Sequence, residues 1–322
     1  MKTTKFFMLA ALALSATACS NDSENEYTGP VEARITAGLA GAQTRAVGTN
    51  WNSDHIGVMV TAASNSEMED MYKNVKYSTS STGTTAEFTA ATGEGIFFQD
   101  ASETVTFAAY APYQTSAVNA LPGTNGVITV NTADNNTSTT QETIDFLYAS
   151  GATASRNSST VEFKDANAFA HKMARLDLVL KVSTTDGFTA TQIFENANVV
   201  KLGGLKHEGT FDVTTGNTAV TSASATADWE ITICKYADDN TNNTRTYSLI
   251  LLPQDVTSSA LPLTITLDGQ NYKNTTNINP NLEAGNVYTY TITVKKTGLT
   301  VSGCTITNWN DGGSGTGDAT MQ

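Results

Sequence analysis

Val31-Glu32-Ala33-Arg34-Ile35-Thr36-Ala37-Gly38-Leu39 decides the fold class. Every odd position is apolar, and the even positions are mostly polar or glycine. Successive side chains of an extended strand point to opposite faces, so this segment turns one face to a core. The same period-two alternation returns in His55-Ile56-Gly57-Val58-Met59-Val60, with Ile56, Val58 and Val60 inward. It recurs at Val105, Phe107, Ala109 and Ala111, at Leu176, Leu178, Leu180 and Val182, and at Leu263, Ile265 and Leu267. Tyr288, Tyr290, Ile292 and Val294 alternate again. Val127–Val130, Ile144–Tyr148 and Val161–Phe163 are shorter candidates, and Leu249–Leu252 is a continuous apolar run suited to a fully buried strand.

Turn clusters at Ser78–Gly83, Ala133–Thr140, Asp238–Thr244 and Gly312–Gly317 punctuate these strands. No window carries helical periodicity beyond two or three turns. Asp165–Ala174 reads as a helical turn or bulge leading into a strand. Many short strands with regular turns define an all-β chain of sandwiches. Charged residues make up 15% of the chain while Thr, Ser, Asn and Gly abound, a composition suited to antiparallel sheets with polar outer faces. The turn-rich stretch Ser150–Ser159 is the expected boundary between two tandem sandwiches, at residues 46–158 and 159–322.

The N-terminus is a secretion signal over residues 1–18. Lys2 and Lys5 precede an uncharged apolar run, Phe6–Ala18, too short to span a bilayer comfortably. Ala16-Thr17-Ala18 then leads to Cys19, the arrangement a lipoprotein signal peptidase requires, and attachment by two or more acyl chains is effectively stable. The following Ser20–Glu26 is a polar, acidic tether. Loss of Lys2 and Lys5 leaves 16 basic against 31 acidic residues and moves the net charge from -13 to -15. Such a chain repels phosphate backbones, which argues against a nucleic-acid partner.

Catalytic chemistry finds little support. His55, His171 and His207 stand singly, without the spacing of a zinc site, and read as strand-end or core residues. Asp54, Glu67-Met68-Glu69-Asp70 and Asp238-Asp239 lack the oxygen spacing of a calcium loop and read as solvated faces. Trp51, Trp229 and Trp309 read as core rather than as a sugar-stacking platform. Cys234 and Cys304 read as separate buried thiols. The expectation is therefore a non-enzyme without cofactor or metal.

One segment carries a mechanism. The first alternating strand is followed by the small-residue linker Ala40-Gly41-Ala42-Gln43-Thr44 and then Arg45-Ala46. An arginine-specific protease cutting after Arg45 would detach residues 19–45, the lipid included. Burial of Val31, Ile35 and Leu39 is worth roughly 5–9 kcal/mol as an upper bound, comparable with the roughly 5–15 kcal/mol that holds a whole domain. Its loss would leave an apolar groove with unpaired backbone groups, open to a strand from a neighbouring molecule. Repeated head to tail, that exchange gives an open filament.

Several pieces in fixed order resemble the fimbrillin family, lipoprotein-precursor subunits of type V pili of Gram-negative anaerobes. They are Cys19, Thr44-Arg45-Ala46, residues 51–60 (WNSDHIGVMV), 105–113 (VTFAAYAPY), 144–150 (IDFLYAS), 169–180 (FAHKMARLDLVL), 251–254 (LLPQ), 284–294 (AGNVYTYTITV) and 306–309 (ITNW). The resemblance implies two transthyretin-like β-sandwiches, export by the lipoprotein route, cleavage after Arg45 and assembly through a C-terminal donor strand. The donor candidate is Leu299–Trp309, with Leu299, Val301, Ile306 and Trp309 as its apolar residues, preceded by Tyr288–Val294. Implied partners are other fimbrial subunits, an arginine-specific surface protease, the outer membrane before processing, and a host or bacterial surface ligand. The alternative is a permanently lipid-anchored glycan-binding surface lipoprotein; a sandwich-fold hydrolase ranks third.

Overall fold

A computed structural model describes residues 29–40, 51–52, 54–64, 66–100, 103–196, 198–274, 277–309 and 317–318. In chain order, the first half contributes β1 (Val31–Glu32), β2 (Arg34–Gly38), β3 (His55–Ala62), β4 (Val75–Ser78), β5 (Thr85–Phe88) and β6 (Phe97–Phe98). There follow β7 (Thr104–Ala111), β8 (Val127–Asn131), β9 (Leu147–Ser155), β10 (Thr160–Phe163) and β11 (Ala170–His171). A five-stranded antiparallel sheet runs β11-β9-β7-β3-β4, and a three-stranded sheet runs β10-β2-β5. Ile35, Phe88 and Phe163 from the smaller sheet meet Val58, Phe107 and Ala149 from the larger one in a single core. That is sandwich packing.

The second half supplies β12 (Ala174–Val182), β13 (Val199–Leu202), β14 (Glu208–Asp212), β15 (Thr218–Val220), β16 (Trp229–Glu230) and β17 (Tyr236–Asp239). It continues with β18 (Thr244–Leu251), β19 (Leu263–Leu267), β20 (Gln270–Asn274), β21 (Asn286–Lys295), β22 (Gly298–Val301) and β23 (Thr305–Asn308). The larger sheet runs β17-β18-β12-β21-β23, β22 also pairs with β21, and Gly317–Asp318 pairs with the far side of β23. A second sheet, β16-β13-β19-β20, covers it across a core that includes Leu178, Leu249, Leu263 and Ile292.

A third cluster joins the two halves, from Met59, Ala108 and Tyr110 on one side to Ile250, Leu252 and Trp309 on the other. Strands β7 and β18 are therefore buried on both faces: Phe107 and Ala109 face the first core while Ala108 and Tyr110 face the seam. The continuous apolar run Leu249–Leu252 has the same cause, since its alternate residues enter different cores. The described residues from Val31 onward group as one unit.

Two expectations change. Ser150–Ser155 is not a linker but the second part of β9, where Ala152 and Ala154 are buried and the polar residues between them form the outer face. Strand β10, expected in the second sandwich, pairs in parallel with β2, and the first core extends to Phe169. The acidic piece at Glu67–Asp70 belongs to a short helix, α1 (Ser66–Met71), that seats Met68 in the same core. One turn is too short for periodicity to announce it.

His207, just before β14, is buried, with Nδ1 2.9 Å from Thr132 Oγ1 and its ring centre 4.4 Å from that of Trp229 in an edge-on arrangement. Burial pushes its pKa down to about 4, against the opposing pull of Asp134. The unfolded chain titrates near the ordinary value of about 6.5. Between these values the unfolded state binds more protons, so stability falls as pH falls through the window, by up to about 3 kcal/mol. Urea unfolding at pH 7 and pH 4.5 should show that slope, and His207→Gln should flatten it.

Candidate assembly site

Strand β2 is the centre of its sheet, not an edge. It pairs antiparallel with β5, Ile35 opposite Phe88, and parallel with β10, Ile35 opposite Val161. Ala33, Ile35, Ala37 and Leu39 are 2%, 2%, 0% and 8% exposed. Val31, in β1 opposite Phe98, is half-buried. The alternation read from the sequence is the inward face of this strand.

Backbone bonds fasten the segment along its whole length. Ala33 N–H donates to Ile96 O at 2.8 Å, Arg34 N–H to Ser159 O at 2.9 Å, and Leu39 N–H to Thr84 O at 3.0 Å. Ala40 N–H donates to Phe169 O at 2.8 Å, and Phe169 N–H returns a bond to Gly38 O at 3.0 Å. Two side chains missed by sequence reading complete the slot. Trp51 Nε1–H donates to Ala37 O at 3.0 Å, and its indole packs edge-on against Phe88 and Phe169. Tyr77 lies buried beneath Ala33 and accepts a bond from Ile96 N–H at 2.9 Å; burial raises its pKa above the usual phenol range. Nothing in the local pattern around residues 51 and 77 signals a role toward residues 33–37, because the contacts cross 14 and 44 positions.

The slot is thus a built receptor: two flanking strands with aimed donors and acceptors, a tryptophan and a tyrosine beneath, and pockets sized for Ala, Ile, Ala and Leu in series. Cys19, Arg45 and Ala46 lie outside the described residues.

At the other end of the chain, β22 and β23 share one edge of β21. β22 covers Ile292–Lys295 and β23 covers Asn286–Thr289. Leu299, Val301 and Ile306 are half-buried against the second core. Trp309 is 1% exposed in the seam, with its ring stacked 3.7 Å from His171 at an interplanar angle of 10°. His171 Nδ1 lies 2.7 Å from Asp145 Oδ1, which fixes the imidazole beneath the indole. Tyr288–Val294, the earlier donor candidate, lies within β21, hydrogen-bonded to β12 on one side and to β22 and β23 on the other. All three tryptophans occupy cores. Cys234 is buried, and burial pushes its thiol up to about 12, while Cys304 is half-buried; the two are unbonded.

An all-β chain with a centrally paired N-terminal strand and a C-terminal segment paired to β21 defines a protein built from sandwiches. The chain belongs to the fimbrillin-like family, whose model matches residues 44–309. It is 29% identical over 311 residues to "Putative fimbrium subunit Fim1C" of Bacteroides uniformis, covering 94% of each chain. A crystal structure of a "putative cell adhesion protein" from Bacteroides ovatus is similar at 31% identity and a TM-score of 0.70, over 87% of this chain and 98% of that one. A second such protein, from Bacteroides uniformis, is similar at 26% identity and a TM-score of 0.66, over 88% and 100%.

Proposed function

We propose that the chain is a structural subunit of cell-surface fimbriae, exported as a lipoprotein through Cys19, trimmed after Arg45 and polymerised by donor-strand exchange in support of adhesion. Family membership and the relatives named for fimbriae and cell adhesion support the structural role. The observation that carries the mechanism is the central position of β2. A strand hydrogen-bonded on both sides and buried on its inner face leaves a slot of matching shape when it departs, and an edge strand would not.

Removal of residues 19–45 takes the lipid and β1–β2 together, so one cut frees the subunit from the membrane and opens it to a partner. The incoming strand must present apolar residues at every second position, donate to Ile96, Ser159 and Thr84 carbonyls, and offer a carbonyl to Trp51. The C-terminal segment from Leu299 to Trp309 meets the positional requirement, since β22 and β23 join the body's sheet through β21, with Trp309 anchoring its end in the seam. A trimmed stalk or tip subunit follows from Arg45 in a small-residue linker; an anchor would keep its lipid. The partners are other fimbrial subunits, the trimming protease, the outer membrane before trimming, and a surface ligand.

Mass spectrometry of subunits stripped from intact cells tests the reading. Polymerised material should begin at Ala46. Surface material that retains an acylated Cys19 throughout would replace this reading with a permanently anchored lipoprotein.

A further inference from the structure

Asn277-Ile278-Asn279-Pro280-Asn281-Leu282-Glu283 alternates between two faces. Ile278 and Leu282 are buried at 0% and 2%, Pro280 is buried with them, and Asn277, Asn279, Asn281 and Glu283 are exposed. Extended backbone from Ile278 onward places Asn279, Asn281 and Glu283 on one side, and Asn277, in the left-handed region at φ 74°, precedes them, so three carboxamides and a carboxylate form a row. All four line a single cavity of about 470 Å³. Tyr288 and Tyr290 from β21 line it too, as does the Ser302–Cys304 loop between β22 and β23. That volume lies within the roughly 300–1,000 Å³ of small-molecule sites. The four residues of the row lie outside the segment proposed to exchange, whereas the Ser302–Cys304 loop belongs to it, so the site is complete in the unassembled chain.

The row is held in place but far from saturated. Asn281 Nδ2 donates to Glu283 Oε1 at 3.4 Å, Asn286 Nδ2 to Glu283 Oε2 at 3.2 Å, and Asn279 Nδ2 to Thr257 O at 3.4 Å. The backbone is fixed more firmly, with Glu283 N–H donating to Tyr288 Oη at 3.0 Å. Each carboxamide offers two donors and an acceptor with two lone pairs, so these long bonds leave most of the capacity for a ligand.

The chemistry selects the ligand class. An anion would meet Glu283 within a chain of net charge -13. Calcium requires six to eight converging oxygens, whereas Asn281 and Asn286 turn N–H groups toward the carboxylate. A neutral sugar presents adjacent hydroxyls, each both donor and acceptor, together with apolar C–H faces. Carboxamides and a carboxylate match the hydroxyls, and Tyr288, Tyr290, Val301 and Ile306 match the C–H faces. We propose that this cavity is a binding site for a neutral saccharide unit, with Asn279, Asn281 and Glu283 as the hydroxyl-reading residues.

The proposal is independent of strand exchange, because it concerns the unassembled chain. Saturation-transfer NMR on the full chain, with the methyl glycosides of glucose, galactose and mannose and of N-acetylglucosamine as probes, should show transfer to at least one. In the double variant Asn281→Ala, Glu283→Gln the apparent affinity should fall tenfold or more. Both positions are exposed, so the melting temperature should stay unchanged; Asn279→Ala serves as the second variant. No transfer to any neutral probe overturns the proposal. So does transfer that survives both variants, preferential binding of a sialic acid probe, or a melting shift with calcium chloride alone that Glu283→Gln abolishes.

Discussion

A chain beginning at Ala46 is expected to be much less stable than the full chain while monomeric, and to recover that stability by polymerising. Ile35 and Leu39 are buried and contribute roughly 1.5–3 kcal/mol each, and the methyl groups of Ala33 and Ala37 about 0.8 kcal/mol each. The sum is about 5–8 kcal/mol, an upper estimate because unfolded chains already bury some surface. A domain holds only about 5–15 kcal/mol in total, so the open subunit stands close to its unfolding threshold. The backbone acceptors at Ile96, Ser159 and Thr84 lose their partners as well. Light scattering and electron microscopy of residues 46–322 should therefore find ladders or filaments. An excess of a synthetic peptide spanning residues 30–40 should occupy the slot and give stable monomers instead. A trimmed chain that remains monomeric at high concentration, and melts where the full chain does, would remove the basis of strand exchange.

What was legible in the sequence was the inward face of each strand, and the reason is local. Alternation at residues 31–39 depends on neighbours two positions away, and Ala33, Ile35, Ala37 and Leu39 are all buried as it requires. Which strands flank β2 depends on residues far along the chain. The parallel partner, Thr160–Phe163, lies more than 120 positions away, and its own alternation says nothing of whom it pairs with. The boundary at Ser150–Ser159 was misplaced for a related reason. A strand with one polar face, built from Ser, Gly and Thr, has the composition of a turn, and Ala152 and Ala154 are too weakly apolar to declare the buried side. Trp51 was legible as core, yet its hydrogen bond to the Ala37 carbonyl was not. The Asn277–Glu283 row was missed because alternating asparagines look like loop residues until Ile278, Pro280 and Leu282 are seen beneath them.

Replacing Trp309 by alanine is expected to move two measurements in opposite directions. The indole is buried in the seam between the halves, stacked on His171, and its backbone N–H donates to Gly285 O at 2.6 Å. Truncating a buried tryptophan costs about 3–5 kcal/mol, so the unassembled subunit should melt well below the native chain. Yet Trp309 also ends the segment that must leave β21 if it is to enter a neighbour's slot. Extracting the indole is part of that activation cost, and each 1.4 kcal/mol removed from a barrier is about tenfold in rate. If half of the lost contact energy lies on the path to release, the trimmed Trp309→Ala subunit should polymerise roughly ten- to sixtyfold faster despite being less stable. Trp229→Ala supplies the control, since Trp229 is also buried in the second half but lies in β16, away from the C-terminal segment. It should lower the melting temperature without accelerating assembly. Should both variants polymerise at rates set only by their stability, the C-terminal segment is not the donor, and the strand that fills the slot must come from elsewhere.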